Sequence, residues 1–260
     1  YEAKDLGLTI LKTERCYFDE SITITDIEQA GYFDVVFEAG RMLFNAISSR
    51  VVKSKFSHQH HGMMRFASGK MSSRLGNVVT GASLLEDVIG EAFHKVGDRV
   101  DSNAKDVAEC VGVAAIKYSI LRQATEKNIV FDKEKSLSFE GDSGPYIQYT
   151  AVRSRSVVGK ALDAGIKPSF TVHPESVGLV ERMLERFPEV AKRAAEEREP
   201  HHVATYLIEL SSAFNSWYAQ EQIIDVDDAL SPYRVALADA VSNVLARGLW
   251  LLGIRVPAAM

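Results

Sequence analysis

The sequence predicts a mainly α-helical chain in which a short parallel α/β segment comes first and a helical bundle follows. Two observations carry this reading. Near the start, strand, helix, strand, loop and helix signals follow one another. From about Leu84 onward, long segments of helical period dominate. At 260 residues, with 46% hydrophobic and 25% charged side chains, the chain can bury a sizeable core in one or two domains.

The elements follow in order. "YEAKDLG" reads as a helix start that places Tyr1 and Asp5, four apart, on one face. Without further information Asp5 is a helix-terminal charge that pairs with Lys4 or Lys12. "SITIT" (21–25) alternates apolar and polar residues, β-branched types among them, as a strand does, and a helical run follows from about Glu28 to Ser49. "HGMMRF" (61–66) is the second candidate strand. The loop "FASGKMSSRLGNVVTG" (66–81) then carries Lys70, Ser72, Ser73 and Arg74 between Gly69 and Gly76. Any Lys/Ser/Gly loop is first a soluble turn, but at the carboxyl edge of an α/β sheet, where ligands bind, these side chains also make a phosphate clamp.

Helical periods are expected over 84–97, 103–125, 144–164, 174–186, 201–222 and 229–252, with "LSFEGDSGP" (137–145) the best internal break. In the segment after Pro145, Tyr146, Tyr149, Arg153, Ser156 and Lys160 form one stripe of rings and cations, a combination that stacks on bases and meets phosphates. Tyr146 is better read as bundle packing, whereas Tyr149 and Arg153 suit either role. "EVAKRAAEEREP" (189–200) alternates charge as a solvated helix face does. No repeat or low-complexity tract interrupts the chain.

Net charge is −5, yet no acid stands between Glu38 and Glu86. Arg41, Arg50, Lys53, Lys55, Arg65, Lys70 and Arg74 put seven positive charges there, leaving −12 on the rest. Such a block is either a solvated surface or a local field for phosphates. Two cysteines, Cys16 and Cys110, exclude a disulfide framework and a four-thiolate zinc site, so a cytoplasmic setting is expected. No membrane span or signal peptide is visible. The histidines of "HQHH" (His58, His60 and His61) have no acidic or thiolate partner near in sequence, and no protein-bound metal is expected.

"GKMSSRLGNVV" resembles the KMSKS loop of class I aminoacyl-tRNA synthetases. With "YEAKDLG", "GMMRFASGKMSSRLGNVV", "GDSGPYIQYTAVRSRS" and the tail "LADAVSNVLARGLWLLGIRVPAAM", in that order, the chain resembles the arginyl-tRNA synthetase family from its first residue to its last. The tail is also similar to the cysteinyl enzymes, whose catalytic zinc needs thiolates that two cysteines supply poorly. The resemblance implies a partial Rossmann-type catalytic segment over 1–85, a helical connector over 86–140 and an anticodon-binding bundle over 141–260.

It also implies ATP-dependent ligation of arginine to tRNA(Arg) through an arginyl-adenylate, with ATP as a substrate that carries its own Mg2+. Lys70, Ser72 and Arg74 are then the catalytic candidates, acting on charge that develops as pyrophosphate leaves. Ser73 stands where the signature has its second lysine. ATP contacts fall to Gly62, Met63, Lys70, Met71, Ser72, Ser73 and Arg74. Arginine falls to Tyr1, Asp5 and Gln29, with Tyr32 where a histidine is common, and tRNA to Tyr149, Arg153, Lys160 and Met260. No segment resembles the family's HIGH signature, and no initiator methionine precedes Tyr1. The chain is therefore expected to be the carboxyl-terminal part of such an enzyme, monomeric and inactive alone. The alternative is a non-catalytic tRNA-binding module derived from a class I synthetase.

Overall fold

The computed structural model describes residues 1–47, 55–66, 80–96 and 103–260. The chain divides into two units, Tyr1–Met64 with Thr125–Ile129, and Arg65–Ala124 with Val130–Met260.

The first unit opens with α1 (Glu2–Arg15), which carries Glu2 and Asp5 in its first turn and Lys12 and Arg15 in its last, placements the helix dipole favours. Strand β1 (Glu20–Asp26) is followed by a 3-10 turn (Ile27–Gln29) and α2 (Ala30–Ile47), with the Asp26 carboxylate accepting from the Glu28 amide at 2.9 Å. Helix α2 is part of the connection that parallel strands require. Strand β2 (Lys55–His61) returns in parallel register, from Glu20 opposite Lys55 to Asp26 opposite His61. Phe33 and Val36 of α2 are buried, and Phe33 stacks on His58 of β2 with centroids 4.6 Å apart.

The expected strand over 61–66 is thus divided. His61 closes β2, and β3 (Met64–Phe66) is a separate short strand. Gly62 marks the break, because the segment 125–129 passes so close that a Cβ on Gly62 would lie 2.1 Å from the Lys127 carbonyl oxygen. The Gly62 amide donates to the Thr125 carbonyl at 2.7 Å, and the Ile129 amide to the Met63 carbonyl at 2.9 Å.

The second unit holds α3 (Gly81–Val96), α4 (Ala104–Leu121), all but the first residue of β4 (Ile129–Phe131), α5 (Lys133–Ser136) and α6 (Gly144–Asp163). It continues with α7 (Leu179–Glu185), α8 (Phe187–Glu197), α9 (His201–Gln220) and α10 (Ser231–Leu251). Strand β3 pairs with β4, and the ring of Phe66 meets that of Phe131 edge to face at 6.0 Å. The core runs through Ile147, Ala151, Leu207, Leu210, Phe214, Leu245 and Leu249, which are fully buried. Apolar area on this scale, at about 25 cal/mol per Å², is the main term holding such a bundle.

Helix α6 begins as its sequence says it should. The Ser143 hydroxyl accepts from the Tyr146 amide at 3.1 Å, and Pro145 stands in the first turn. Just before it, Asp142 accepts from the Tyr118 hydroxyl and pairs with Arg122. Burial, together with that carboxylate, pushes the Tyr118 phenol well above its usual range. The charged run expected as a solvated face forms most of α8, where no residue is buried and Arg193 meets Glu197 at 2.9 Å, although Val190 and Ala194 turn against the core.

Candidate functional site

Side chains suited to recognition gather in two places, one in each unit. In the first unit, Asp5 of α1 accepts a hydrogen bond from the Tyr32 hydroxyl of α2 at 2.6 Å. That bond is the main reason the Tyr32 phenol is pushed up to about 12. Neither lysine expected beside Asp5 forms an ion pair with it among the described residues: Lys12 donates to the Ser21 hydroxyl at 3.4 Å, and Lys4 lies 5.9 Å over the Tyr1 ring. Tyr1 and Gln29 are exposed, with Tyr1 at 93%. No hydrogen bond among the described residues joins their side chains to Asp5 or Tyr32. The arrangement presents a carboxylate fixed on one oxygen, with its remaining acceptor positions able to take a planar cation.

Gly62 and Met63, expected to touch ATP, have committed backbones. The Met63 amide donates to the Asn128 side chain at 3.0 Å, and the Gly62 carbonyl accepts from His61 Nδ1 at 3.0 Å. Lys70, Met71, Ser72, Ser73 and Arg74 lie outside the described residues. The histidines of β2 are individually satisfied: His58 meets the Thr25 hydroxyl at 2.7 Å and His60 meets Glu126 at 3.0 Å. Burial, and next the charge of His60, lowers the pKa of His58. Among the described residues no three His, Cys, Asp or Glu side chains gather as a metal site.

In the second unit a cleft of about 440 Å³ is lined by Lys95, Phe139, Glu140, Tyr146, Tyr149, Arg153, Asn215 and Met260. Its centre is Arg153, whose guanidinium lies 4.6 Å from the centroid of Tyr149 and 5.3 Å from that of Tyr218. It donates to Asn215 Oδ1 at 2.6 Å and to the Tyr149 hydroxyl at 3.0 Å. Asn215 in turn donates to the Tyr146 hydroxyl at 3.0 Å and the Thr150 hydroxyl at 2.9 Å. Arg153 has no carboxylate partner among the described residues, so its remaining N–H donors can take phosphate or base oxygens. Two rings and a held cation in an open cleft suit an anionic polymer with flat bases.

Three residues of the sequence-derived set therefore meet here: Tyr149, Arg153 and Met260. Lys160 lies two turns further along α6, exposed and outside the cleft lining. Asn215 and Tyr218 escaped the sequence reading. A lone asparagine in the apolar run of α9, three residues before a tyrosine, is the signal that could have found them.

Two family models match the chain, "tRNA synthetases class I (R), catalytic domain" over residues 1–133 and "DALR anticodon binding domain" over 147–260. An arginine–tRNA ligase of Exiguobacterium is 34% identical over 100% of this chain and 46% of its own length. One of Clostridium perfringens is 32% identical over 98% of this chain and, again, 46% of its own. The chain thus spans about half the length of these curated relatives. The structure of Thermus thermophilus arginyl-tRNA synthetase matches with a TM-score of 0.82 at 26% identity, covering 100% of this chain and 49% of that one. Arginyl-tRNA synthetase from Plasmodium falciparum matches with a TM-score of 0.78 at 18% identity, over 100% and 44%, and speaks for the fold alone.

Proposed function

The chain belongs to the arginyl-tRNA synthetase family of class I aminoacyl-tRNA synthetases, and on that premise we propose that it is the tRNA-holding and loop-bearing part of an ATP-dependent arginine–tRNA ligase. In that reaction the arginine carboxylate attacks the α-phosphorus of ATP and pyrophosphate leaves. A terminal ribose hydroxyl of tRNA(Arg) then takes the arginyl group and releases AMP.

Each group of residues has a part. Asp5 takes the arginine guanidinium, with Tyr32 orienting the carboxylate and Tyr1 and Gln29 bordering the site. Lys70, Ser72 and Arg74, with Met71 and Ser73 between them, close over the phosphates, and the charge they meet grows as pyrophosphate departs. Contacts that strengthen along the reaction raise its rate more than they raise ATP affinity. Gly62 and Met63 stand at the head of that loop. ATP brings its own magnesium ion. Tyr149, Arg153 and Met260 take a base and the adjoining phosphate of the tRNA, and Lys160 a phosphate further along.

The observation that carries the RNA reading is Arg153 in an open cleft, close to the rings of Tyr149 and Tyr218 and unpaired with any acid among the described residues. The test is a titration of the 260-residue chain with a tRNA(Arg) transcript at low salt, alongside arginine-dependent ATP–pyrophosphate exchange. We expect binding without exchange. Arg153→Ala weakens that binding by roughly tenfold or more, as loss of a stacked cation and a phosphate contact requires. Absence of binding overturns the tRNA reading, and exchange above that of a boiled control overturns the division of labour.

A further inference from the structure

The segment after α10, residues 252–260, has no regular secondary structure, yet it is held from Leu252 to Pro257. Gly253 takes a left-handed φ of 66°, which reverses the chain off the helix end, and Lys117 donates to its carbonyl. Ile254 and Pro257 are buried. At Arg255 the exposed side chain reaches Asp106 at 3.7 Å and Glu109 at 4.0 Å. Its backbone carbonyl, by contrast, is held from inside the core. It accepts from Gln148 Nε2 of α6 at 2.6 Å and from the Cys110 thiol of α4 at 3.3 Å.

Gln148 is an unusual core residue. It is fully buried, its amide nitrogen also donates to the Cys110 carbonyl at 3.2 Å, and its Oε1 has no hydrogen-bond partner among the described residues. An unpaired amide oxygen in a core costs free energy, and a leucine of similar size would avoid that cost. What leucine cannot supply is two N–H donors, one for a carbonyl of α4 and one for a carbonyl of the tail. The next residue on α6 is Tyr149, which lines the cleft, and the tail that Gln148 holds ends at Met260, which lines it too.

We propose that Gln148 is a positioning residue for RNA recognition: its side-chain amide clamps the Arg255 carbonyl and so sets Met260 as a wall of the cleft beside Tyr149 and Arg153. The proposal rests on reading that cleft as a tRNA site. The clamp couples two parts of one surface, since helix turn and tail are joined through a single buried amide.

The test compares affinity for a tRNA(Arg) transcript among the 260-residue chain, its Gln148→Leu variant, a chain ending at Ile254, and the two changes combined. We expect Gln148→Leu to weaken binding on the order of tenfold, the shortened chain to lose at least as much, and the combination to lose no more than the shortening alone. Hydrogen exchange at Ile254, whose amide donates to the Leu249 carbonyl at 2.8 Å, should accelerate in Gln148→Leu while amides within α9 and α10 stay protected. Gln148→Met, unbranched and of similar length, serves if the leucine variant does not fold. Equal losses from Gln148→Leu in the intact and shortened chains, or unchanged tail exchange, overturn the clamp. If the intact chain binds no tRNA, the reading of the cleft falls, while the exchange data still decide whether Gln148 holds the tail.

Discussion

A carboxylate that is to hold a guanidinium works best when its orientation is fixed before the ligand arrives, and at Asp5 the Tyr32 hydroxyl fixes it. The sequence placed Tyr1 and Asp5 on one face but could not say what Asp5 touches, because that partner is 27 residues away on another helix. A local ion pair with Lys4 or Lys12 was the nearest alternative, and both lysines turn elsewhere. In the complete ligase, Asp5→Asn should cost about 2 kcal/mol of arginine binding, a KM raised roughly thirtyfold, with the KM for ATP little changed. Tyr32→Phe keeps the carboxylate and loses only its orientation, so its rise should be several-fold smaller. Steady-state kinetics with arginine varied at saturating ATP measure both. An unchanged KM in Asp5→Asn would leave the Asp5–Tyr32 bond as nothing more than a tie between α1 and α2.

Among the elements, those whose signals are local were legible and those made by distant chain were not. Helix α6 announces itself through Ser143, Pro145 and the apolar positions after them, and the structure starts it at Gly144. Strand β2 does not, since "KFSHQHH" shows no apolar alternation, and its stability comes from pairing with β1 and from rings such as Phe33 over His58. The expected strand at 61–66 failed for the same reason in reverse. Its apolar run is broken by the approach of residues 125–128 to Gly62, a contact no window of local sequence contains. Asn215 was missed likewise, being an ordinary helix residue until its bonds to Arg153, Tyr146 and Thr150 are seen. Gly62→Ala should therefore destabilise the first unit, because the added methyl group meets backbone at 2.1 Å and backbone cannot rotate away. A loss of about 1–3 kcal/mol is expected from such overpacking, read as a lower urea midpoint by far-UV circular dichroism. A midpoint equal to that of the unsubstituted chain would show that the segment 125–128 yields freely.

At the scale of the whole molecule, sequence distance misleads about charge and about cohesion. The block without acids between Glu38 and Glu86 looked uniformly basic, but Arg41 pairs with Glu38 at its border, and the fold brings Glu20 back to Lys55. Arg153, flanked by rings and without a carboxylate partner among the described residues, stands outside that block. Cohesion is uneven in the same way. The second unit has a continuous buried cluster reaching from Ala114 to Ile254, whereas the described buried apolar side chains of the first are Phe33, Val36 and Ile129, with Ile24, Val35 and Met42 exposed. Less apolar area removed from water means a smaller hydrophobic term, so the first unit should open at lower denaturant than the second. The chain supplies its own reporter, because both tryptophans, Trp217 and Trp250, belong to the second unit. Trp217 packs against the core and Trp250 is largely exposed, so a change in emission tracks Trp217 and the bundle around it. Far-UV circular dichroism, in contrast, sums helices from both units. In a urea titration the dichroic signal should begin to fall before the fluorescence moves, and Gly62→Ala should widen the gap by shifting only the early part. Coincident curves from the two probes would mean that the units unfold as one, and that the sparse core of the first is held by more than its own side chains.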